Sequence, residues 1–409
     1  MSHTPEIQVL VGFETTTGFG NPFQLDNATY GKLDTGTLGG VQLVDLTSMI
    51  RSINIKRGRN RELEQFNAGT ASVVFYDPTR ILDPLNTASS YYPFVGPRNP
   101  IEVYADGVDI FCGVVTDWNI DYGVAANATD TVARCADAFT VLANQAMDDW
   151  TPTAQASGAR VNAVLDRSEV RYQGPRSIDT GSSTLGAYAV AAGTNVLAYL
   201  QTVMASEQGY LFIAADGTLT FRGRATALNA TPTITFKDDG TGVRYQSLTN
   251  AYGDELLYNY IQTQSPAGAV QINSNATSIA LYQAQQYSKL DLLNSTTTEV
   301  DSLGEYLLGR YKDPQLRFTG VQVQMAGLSD ADHASVLNTD LTDIVSVLKT
   351  FGTGTPATVT QTLITSGVEH SITPASHTVR FTFESTDGNS YLTLDSAIFG
   401  KLDENLLAF

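Results

Sequence analysis

This sequence of 409 residues has few of the groups on which many enzymes and disulfide-stabilised proteins depend. It contains two cysteines and four histidines, and only 16% of its residues are charged, against about 25% in typical soluble domains. Two thiols cannot staple a chain of this length, so we expect Cys112 and Cys135 to be small buried apolar residues and the fold to depend on packing. No apolar run reaches the roughly 18 residues of a transmembrane helix, and we therefore expect no membrane span.

Catalytic and phosphate-binding signatures are also missing. The sequence has no Gly-x-Ser-x-Gly, His-Glu-x-x-His, Gly-x-x-x-x-Gly-Lys-Ser/Thr or Cys-x-x-Cys motif. Acidic pairs such as Asp148-Asp149 have the residue type of glycosidase carboxylates, but acidic side chains are too common here to be informative. We predict that the protein is not an enzyme and that it has no cofactor.

Positive charge is scarce as well, with 24 basic residues against 42 acidic ones and a net charge of −18. Such a field repels phosphates, which excludes general DNA binding but is compatible with an anionic channel through which DNA slides. Residues 1–6 are polar, and the apolar residues 7–11 are too few for a signal-peptide core. We expect synthesis in a cytoplasm.

The composition that is present indicates strands and turns, because Thr, Ser, Asn, Gly and Tyr replace the missing charges. A single core stops growing at roughly 250–300 residues, so several domains are expected. The fold class predicted from hydrophobic periodicity is mainly β with some helix. The predicted divisions are an N-terminal arm (1–40), a first tube-like β-barrel (41–136), an α+β insert (137–244), a second β-barrel (245–390) with a helix near 299–311, and a C-terminal tail (391–409).

Several local features are predicted inside these domains. Asp137 is placed to cap one short helix and either Thr194 or Asn195 another, and Thr298 with Asp301 resembles a capping box. A hairpin is predicted over residues 367–384, and a tip at Pro374-Ala375 would make His370 and His377 diagonal neighbours on one face. Two histidines are too few for a metal site, so we interpret them as ordinary strand residues.

A ten-residue segment occurs twice. Residues 25–34 (LDNATYGKLD) and 394–403 (LDSAIFGKLD) share seven of ten positions. One interpretation is chance or a shared turn preference; the other is a docking strap whose leucines and aromatic ring anchor it to a partner while glycine lets the backbone approach. The predicted docking residues are Leu25, Asp26, Tyr30, Gly31, Leu33, Leu394, Asp395, Phe399, Gly400 and Leu402. Two straps per chain give six in a trimer, which matches a sixfold partner.

A basic cluster stands out against the acidic background. It consists of Lys56, Arg57, Arg59 and Arg61. These residues form either a solvated hairpin tip or a contact with an acidic partner surface. Nucleic acid is a weaker hypothesis, because no aromatic residue interleaves with the cluster.

The order of several segments resembles the minor tail proteins of long-tailed, non-contractile actinobacteriophages, a family similar to the baseplate hub of other tailed phages. The segments are 52–59 with its Arg-Gly-Arg turn, 68–73, 82–86, 111–114, 210–224, 280–311, 367–370 with His377, and 394–409. Together they cover most of the chain from about residue 23.

The resemblance implies a homotrimeric hub in the virion tail tip, with two tube-like barrels per subunit forming a pseudo-sixfold ring. Such a ring caps and continues the tail tube, anchors other proteins, and passes genomic DNA only as transient cargo. The implied partners are a distal tail or tail tube protein, the tape measure protein, and other tail-tip or receptor-binding proteins. The alternatives are a host-surface or glycan-binding module, in which Trp118 and Trp150 stack on sugars, and a wall-degrading enzyme.

Overall fold

A sheet of thirteen strands dominates the computed structural model, which describes residues 4–13, 42–123, 129–170, 172–228, 231–266 and 268–386. The fold is mainly β with a few short helices, which confirms the predicted fold class. Within these ranges no helix is both long and apolar enough to cross a membrane.

The first block of the sheet has seven strands: β1 (Ile7–Phe13), β2 (Gln42–Asp45), β3 (Ile50–Gly58), β4 (Asn67–Tyr76), β5 (Pro100–Ala105), β6 (Val108–Tyr122) and β7 (Thr129–Ala136). They lie in the order β3-β4-β7-β6-β5-β1-β2, with a 3-10 turn at Thr47–Met49 before β3. Alternate residues face the core; in β4 these are Ala71, Val73 and Phe75.

The predicted N-terminal arm is therefore partly wrong, because β1 lies within it. Val9, Val11 and Phe13 alternate along β1 and are at most 1% exposed. The strand hydrogen-bonds to β5 on one side and β2 on the other. Burial of this apolar face outweighs the turn signals of the glycine-rich sequence that follows.

The middle unit follows the first block and mixes short strands with helices. Its elements are α1 (Phe139–Ala143), β8 (Ala146–Met147), β9 (Gln155–Ala156), α2 (Ser157–Leu165), β10 (Arg176–Ile178), β11 (Thr184–Leu185), β12 (Thr194–Asn195), α3 (Val196–Glu207), β13 (Tyr210–Ile213), β14 (Leu219–Arg222) and α4 (Arg224–Leu228). Strands β10, β14 and β13 form a small sheet. Helices α1 and α2 both pack on α3.

The second block and a side unit complete the chain. The second block comprises β15 (Ile234–Lys237), β16 (Ser247–Ala251), β20 (Arg317–Gln324), α7 (Asp330–Leu337), β21 (Ile344–Thr350), β22 (Thr358–Thr373) and β23 (Ser376–Ser385). The side unit comprises β17 (Tyr260–Thr263), β18 (Gln271–Ser274), α5 (Ala276–Tyr282), β19 (Gln286–Lys289) and α6 (Thr297–Tyr311). The side unit has its own small core between α6 and the three strands.

The two blocks repeat one strand order. The path β3-β4-β7-β6-β5-β1 of the first block corresponds to β16-β20-β23-β22-β21-β15 of the second. The long central strands β6 and β22 each carry a bulge, at Thr116 and at Ser366. The repeat differs at its last strand, since β1 is antiparallel to β5 while β15 is parallel to β21.

The pairings of the described residues form one branched sheet and close a barrel in neither block, so the two barrels stay a prediction, as do the domain boundaries. One detail of the division changes: β15 lies in the predicted insert but pairs with β21 of the second block.

Most local predictions are confirmed. Asn195 caps α3 through the Ala198 N–H. The Asp137 carboxylate accepts the Phe139 N–H at 2.9 Å, although the N-cap position of α1 is Ala138 and not Asp137. The capping box of α6 is shifted: Thr296, not Thr298, is the N-cap, and its hydroxyl accepts the Glu299 N–H.

Candidate functional site at the junction of the blocks

The junction between the two blocks is the pairing of β3 with β22. Six residue pairs connect them, from Gly58 opposite Gly367 to Ile53 opposite Ile372. At the end of β3 the Arg59 N–H donates to the Ser366 carbonyl at 2.8 Å, so the chain turns directly over the β22 bulge. Because this pairing joins the two blocks in one sheet, side chains at the end of β3 meet both.

The basic cluster lies at this turn, and the structure divides it. Lys56 pairs with Glu369 and Arg61 with Glu255, and both cations are more than half exposed. Arg57 and Arg59 are 4% and 8% exposed and are paired inside the chain. The prediction of a partner contact is therefore corrected for Arg57 and Arg59, whose charges acidic residues of the same chain already neutralise; for Lys56 and Arg61 it stays a prediction.

Arg59 connects the first block to the second through Glu384. Its Nε and Nη2 donate to the two carboxylate oxygens of Glu384, each at 2.5 Å, and its Nη1 donates to the Glu64 carbonyl. The guanidinium also lies over the rings of Phe66 and Tyr210, 4.8 and 5.3 Å from their centroids. A bidentate pair on aromatic surfaces suits arginine and not lysine.

A second buried pair attaches the side unit. Arg310 of α6 donates to Glu62 and to the Ser385 carbonyl, and the Tyr311 hydroxyl donates to the same Glu62 oxygen at 2.7 Å. Burial and the Glu62 carboxylate together hold the pKa of Tyr311 well above its usual range, so the hydroxyl stays a donor. The residues just after β3 thus contact both α6 and the end of β23.

Arg57 reaches a third region. Its Nη1 donates to Asp340 Oδ1 at 2.7 Å, while Asp340 Oδ2 accepts the Ala215 N–H from the β13–β14 turn. Nearby, Asp137 accepts the N–H groups of Gly69 and Phe139. Burial raises the pKa of Asp137 to about 7, although these two bonds and Arg57 oppose the shift. First block, middle unit and second block therefore meet through hydrogen-bonded charges.

The predicted histidine pair is confirmed in register and in contact. Ile372 lies opposite His377 and Val379 opposite His370, and His370 Nδ1 is 3.0 Å from His377 Nε2. Burial, with the neighbouring histidine and Arg57, lowers the pKa of His370 well below its usual range. Burial, reinforced by His333, lowers the pKa of His377 to about 4. The rings are therefore neutral at pH 7. No group of three or more metal-ligating side chains occurs in the described ranges.

An open groove of about 880 Å³ runs over the opposite face of the junction. Its lining residues come from both blocks and include Asn54, Lys56, Arg134, Gln322, Glu369 and Arg380. This face has three cationic side chains and one carboxylate among those six, in a protein of net charge −18. The groove is open to solvent, unlike the enclosed cavities that bind small molecules, and its lining mixes charged side chains with apolar ones such as Ile55 and Val132.

Other predicted residues have different positions. Both docking segments, residues 25–34 and 394–403, fall outside the described residues. Trp118 packs against Phe13 and Phe75 and donates from Nε1 to the Gly96 carbonyl at 2.9 Å. Trp150 lies against Tyr199 and under the Arg167 guanidinium. These rings stabilise the fold, and neither is an open platform for a sugar.

Cys135 is buried, as predicted, but Cys112 is only partly so; both are free thiols. Burial raises the pKa of Cys112 to about 11 and of Cys135 to about 12, which makes both unreactive at neutral pH.

Comparison with known proteins places this fold among phage tail proteins. No family model and no curated protein matches the sequence. The structure is similar to a tail protein from Neisseria meningitidis MC58 (TM-score 0.59, 10% identity, covering 92% of this chain and 96% of that one). It is also similar to the 43 kDa tail protein of prophage MuSo2 from Shewanella oneidensis (0.58, 12%, 94% and 98%) and to prophage tail protein gp18 from Listeria monocytogenes EGD-e (0.50, 11%, 93% and 95%).

The chain thus has the fold of these tail proteins over more than nine-tenths of its length. The likeness is one of fold, since only about one residue in ten is identical.

Proposed function

We propose that this protein is a structural component of a phage tail tip, a hub that caps and continues the tail tube and has no enzymatic activity. The observation that carries the proposal is the repeated strand order: two similar blocks are joined edge to edge in one sheet. A subunit that already contains two similar blocks, each able to form part of a ring wall, is suited to building a ring. The shared fold with three tail proteins supports the same proposal.

The proposed ring is a homotrimer of six blocks that matches a sixfold tube. It would contact a distal tail or tail tube protein, the tape measure protein and other tail-tip proteins, and pass DNA transiently. The narrower actinobacteriophage family belongs to this proposal too. The buried Arg59–Glu384 and Arg310–Glu62 pairs support it, because they fix the two blocks and the side unit against each other.

Mass and location test the proposal together. We expect light scattering of the purified chain to give three times the 43.9 kDa subunit mass, and antibody labelling of virions to mark the tail tip. A protein that is monomeric and absent from the tail would contradict it. Binding to host cell wall, without incorporation into the tail, would favour the host-surface alternative.

Removing residues 394–409 tests the docking segments. We expect the truncated chain to keep its fold and to enter tails less efficiently than the full chain, because one of two straps is lost. Circular dichroism checks the fold and quantitative mass spectrometry of purified virions checks incorporation. A matched second variant keeps the full chain and replaces only Phe399 and Leu402 with serine. Normal incorporation of both variants would show that the repeated segment is not a strap.

A further inference from the structure

The junction between the blocks leaves one strand edge unused on each of them. In the second block, β22 pairs with β21 up to Ile364 and, beyond its Ser366 bulge, its same edge pairs with β3. In the first block, β6 pairs with β5 up to Val114. Beyond its Thr116 bulge, the described residues of β6 pair only with β7. Residues 117–122 therefore have an outer edge that no described strand occupies.

The strand that fits this free edge of β6 is β16. It occupies in the second block the place of β3 in the first, paired with β20 as β3 is with β4. Unlike β3, β16 has no second strand partner among the described residues and ends the sheet. Four of its five residues are exposed, and none of them is charged. An uncharged, exposed edge strand is a template for pairing with another chain.

We propose that β16 of one subunit pairs with the free edge of β6 in the next subunit, repeating between chains the β3–β22 junction found within the chain. The inference rests on the proposed ring and names the strands that close it. Such contacts are head-to-tail, and they form a closed ring when the rotation between copies closes.

The repeat predicts the register of this pairing. Asp121 and Ser371 each lie five residues beyond their bulge, and Thr249 has the position in β16 that Asn54 has in β3, opposite Gly320 and Ser72. Since Ser371 lies opposite Asn54, Asp121 should lie opposite Thr249. By the same step Tyr122 should lie opposite Leu248, as Ile372 lies opposite Ile53.

The side chains at the two edges suit this contact. Tyr122 is 52% exposed, although Arg80 lies over its ring, and Tyr252, just beyond β16, is 71% exposed. Pairing would bury apolar ring surface of both tyrosines that is now exposed to water. On the polar face, Asp121 would lie opposite Thr249 and meet only uncharged side chains of β16, so no like charges would be brought together within the paired strands.

A disulfide across the predicted pair tests the inference. Under oxidation, Asp121→Cys with Thr249→Cys in one chain should give covalent species up to a closed trimer on a non-reducing gel, because directly opposite residues of paired strands lie within the roughly 4.4–6.8 Å Cα range of disulfides. Either single variant should give none, and a mixture of the two singles should give covalent pairs only. The matched control is Asn54→Cys with Ser371→Cys, whose side chains are in contact at 3.1 Å and should cross-link within one chain.

A charge variant provides an independent readout. Thr249→Asp places a second carboxylate opposite Asp121 and should weaken association about fivefold, and adding Asp121→Lys should restore it. Trimers that neither cross-link nor respond to Thr249→Asp would overturn the edge pairing while the ring survives. A chain that stays monomeric would overturn both.

Discussion

Replacing Arg59 with alanine is expected to lower the free energy of unfolding by about 3–5 kcal/mol, because Glu384 would keep a buried charge without its partner. Glu384 is 2% exposed, and Arg59 supplies both of its charged hydrogen bonds. The loss should appear as a lower urea midpoint, followed by tryptophan fluorescence. It should also detach the turn after β3 from the end of β23, so hydrogen exchange should accelerate in both blocks.

The matched control is Arg61→Ala, two residues along the same turn. Arg61 and Glu255 are 65% and 62% exposed, so breaking their pair should change stability by less than about 1 kcal/mol. The double replacement Arg59→Met with Glu384→Leu should recover much of the loss, since it removes both buried charges together. Equal effects of Arg59→Ala and Arg61→Ala would show that the buried pair does not join the blocks.

Sequence reasoning succeeded where the physics is local. The hairpin of β22 and β23 follows from one tight turn at Pro374-Ala375, and that turn alone sets the register that brings His370 to His377. Asn195 caps α3 for an equally local reason, since its side chain bonds an amide three residues on. The predicted capping box was two residues too late, because Thr296, Thr297 and Thr298 are consecutive and the sequence does not distinguish them. In the structure Glu299 bonds the Thr296 hydroxyl through both its carboxylate and its N–H.

The junction could not be predicted, because its contacts join distant parts of the chain. Arg59 and Glu384 are 325 positions apart, and Arg310 and Glu62 are 248 apart. Nothing in the local pattern of Arg57 or Arg59 distinguishes a buried arginine from the exposed Arg61. The repeated strand order could not be predicted either. The two blocks match in topology and in the position of the bulge, whereas their amino-acid sequences show no such duplication. One local signal did exist, the glycine between the two buried arginines.

Gly58 is the position at which a single methyl group should do most damage to the junction. Its φ is +97°, and a Cβ there would lie 2.2 Å from the Ser366 carbonyl oxygen and 2.7 Å from the Gly367 Cα. Both are backbone atoms of the β22 bulge, and the Ser366 oxygen is also held by the Arg59 N–H. Gly58→Ala combines a left-handed conformation, costing about 1–2 kcal/mol, with a clash costing about 1–3 kcal/mol more. We expect a loss of about 2–5 kcal/mol in the free energy of unfolding.

Gly107→Ala separates these two costs. Gly107 has a φ of +76°, but no atom of the described residues lies within 4 Å of the place that an alanine methyl would take, so alanine there carries the conformational cost alone. The free energies of unfolding of the two variants, measured by urea, should differ by the cost of the clash. Hydrogen exchange should show which strands the clash affects. In Gly58→Ala the Arg59 amide and residues 367–372 should lose protection together, because β3 and β22 separate; in Gly107→Ala any loss should stay at the β5–β6 turn. If the variants behave alike, the close approach of β3 to the bulge does not stabilise the junction, and the rest of the β3–β22 pairing and the ion pairs of Arg57 and Arg59 hold the blocks together.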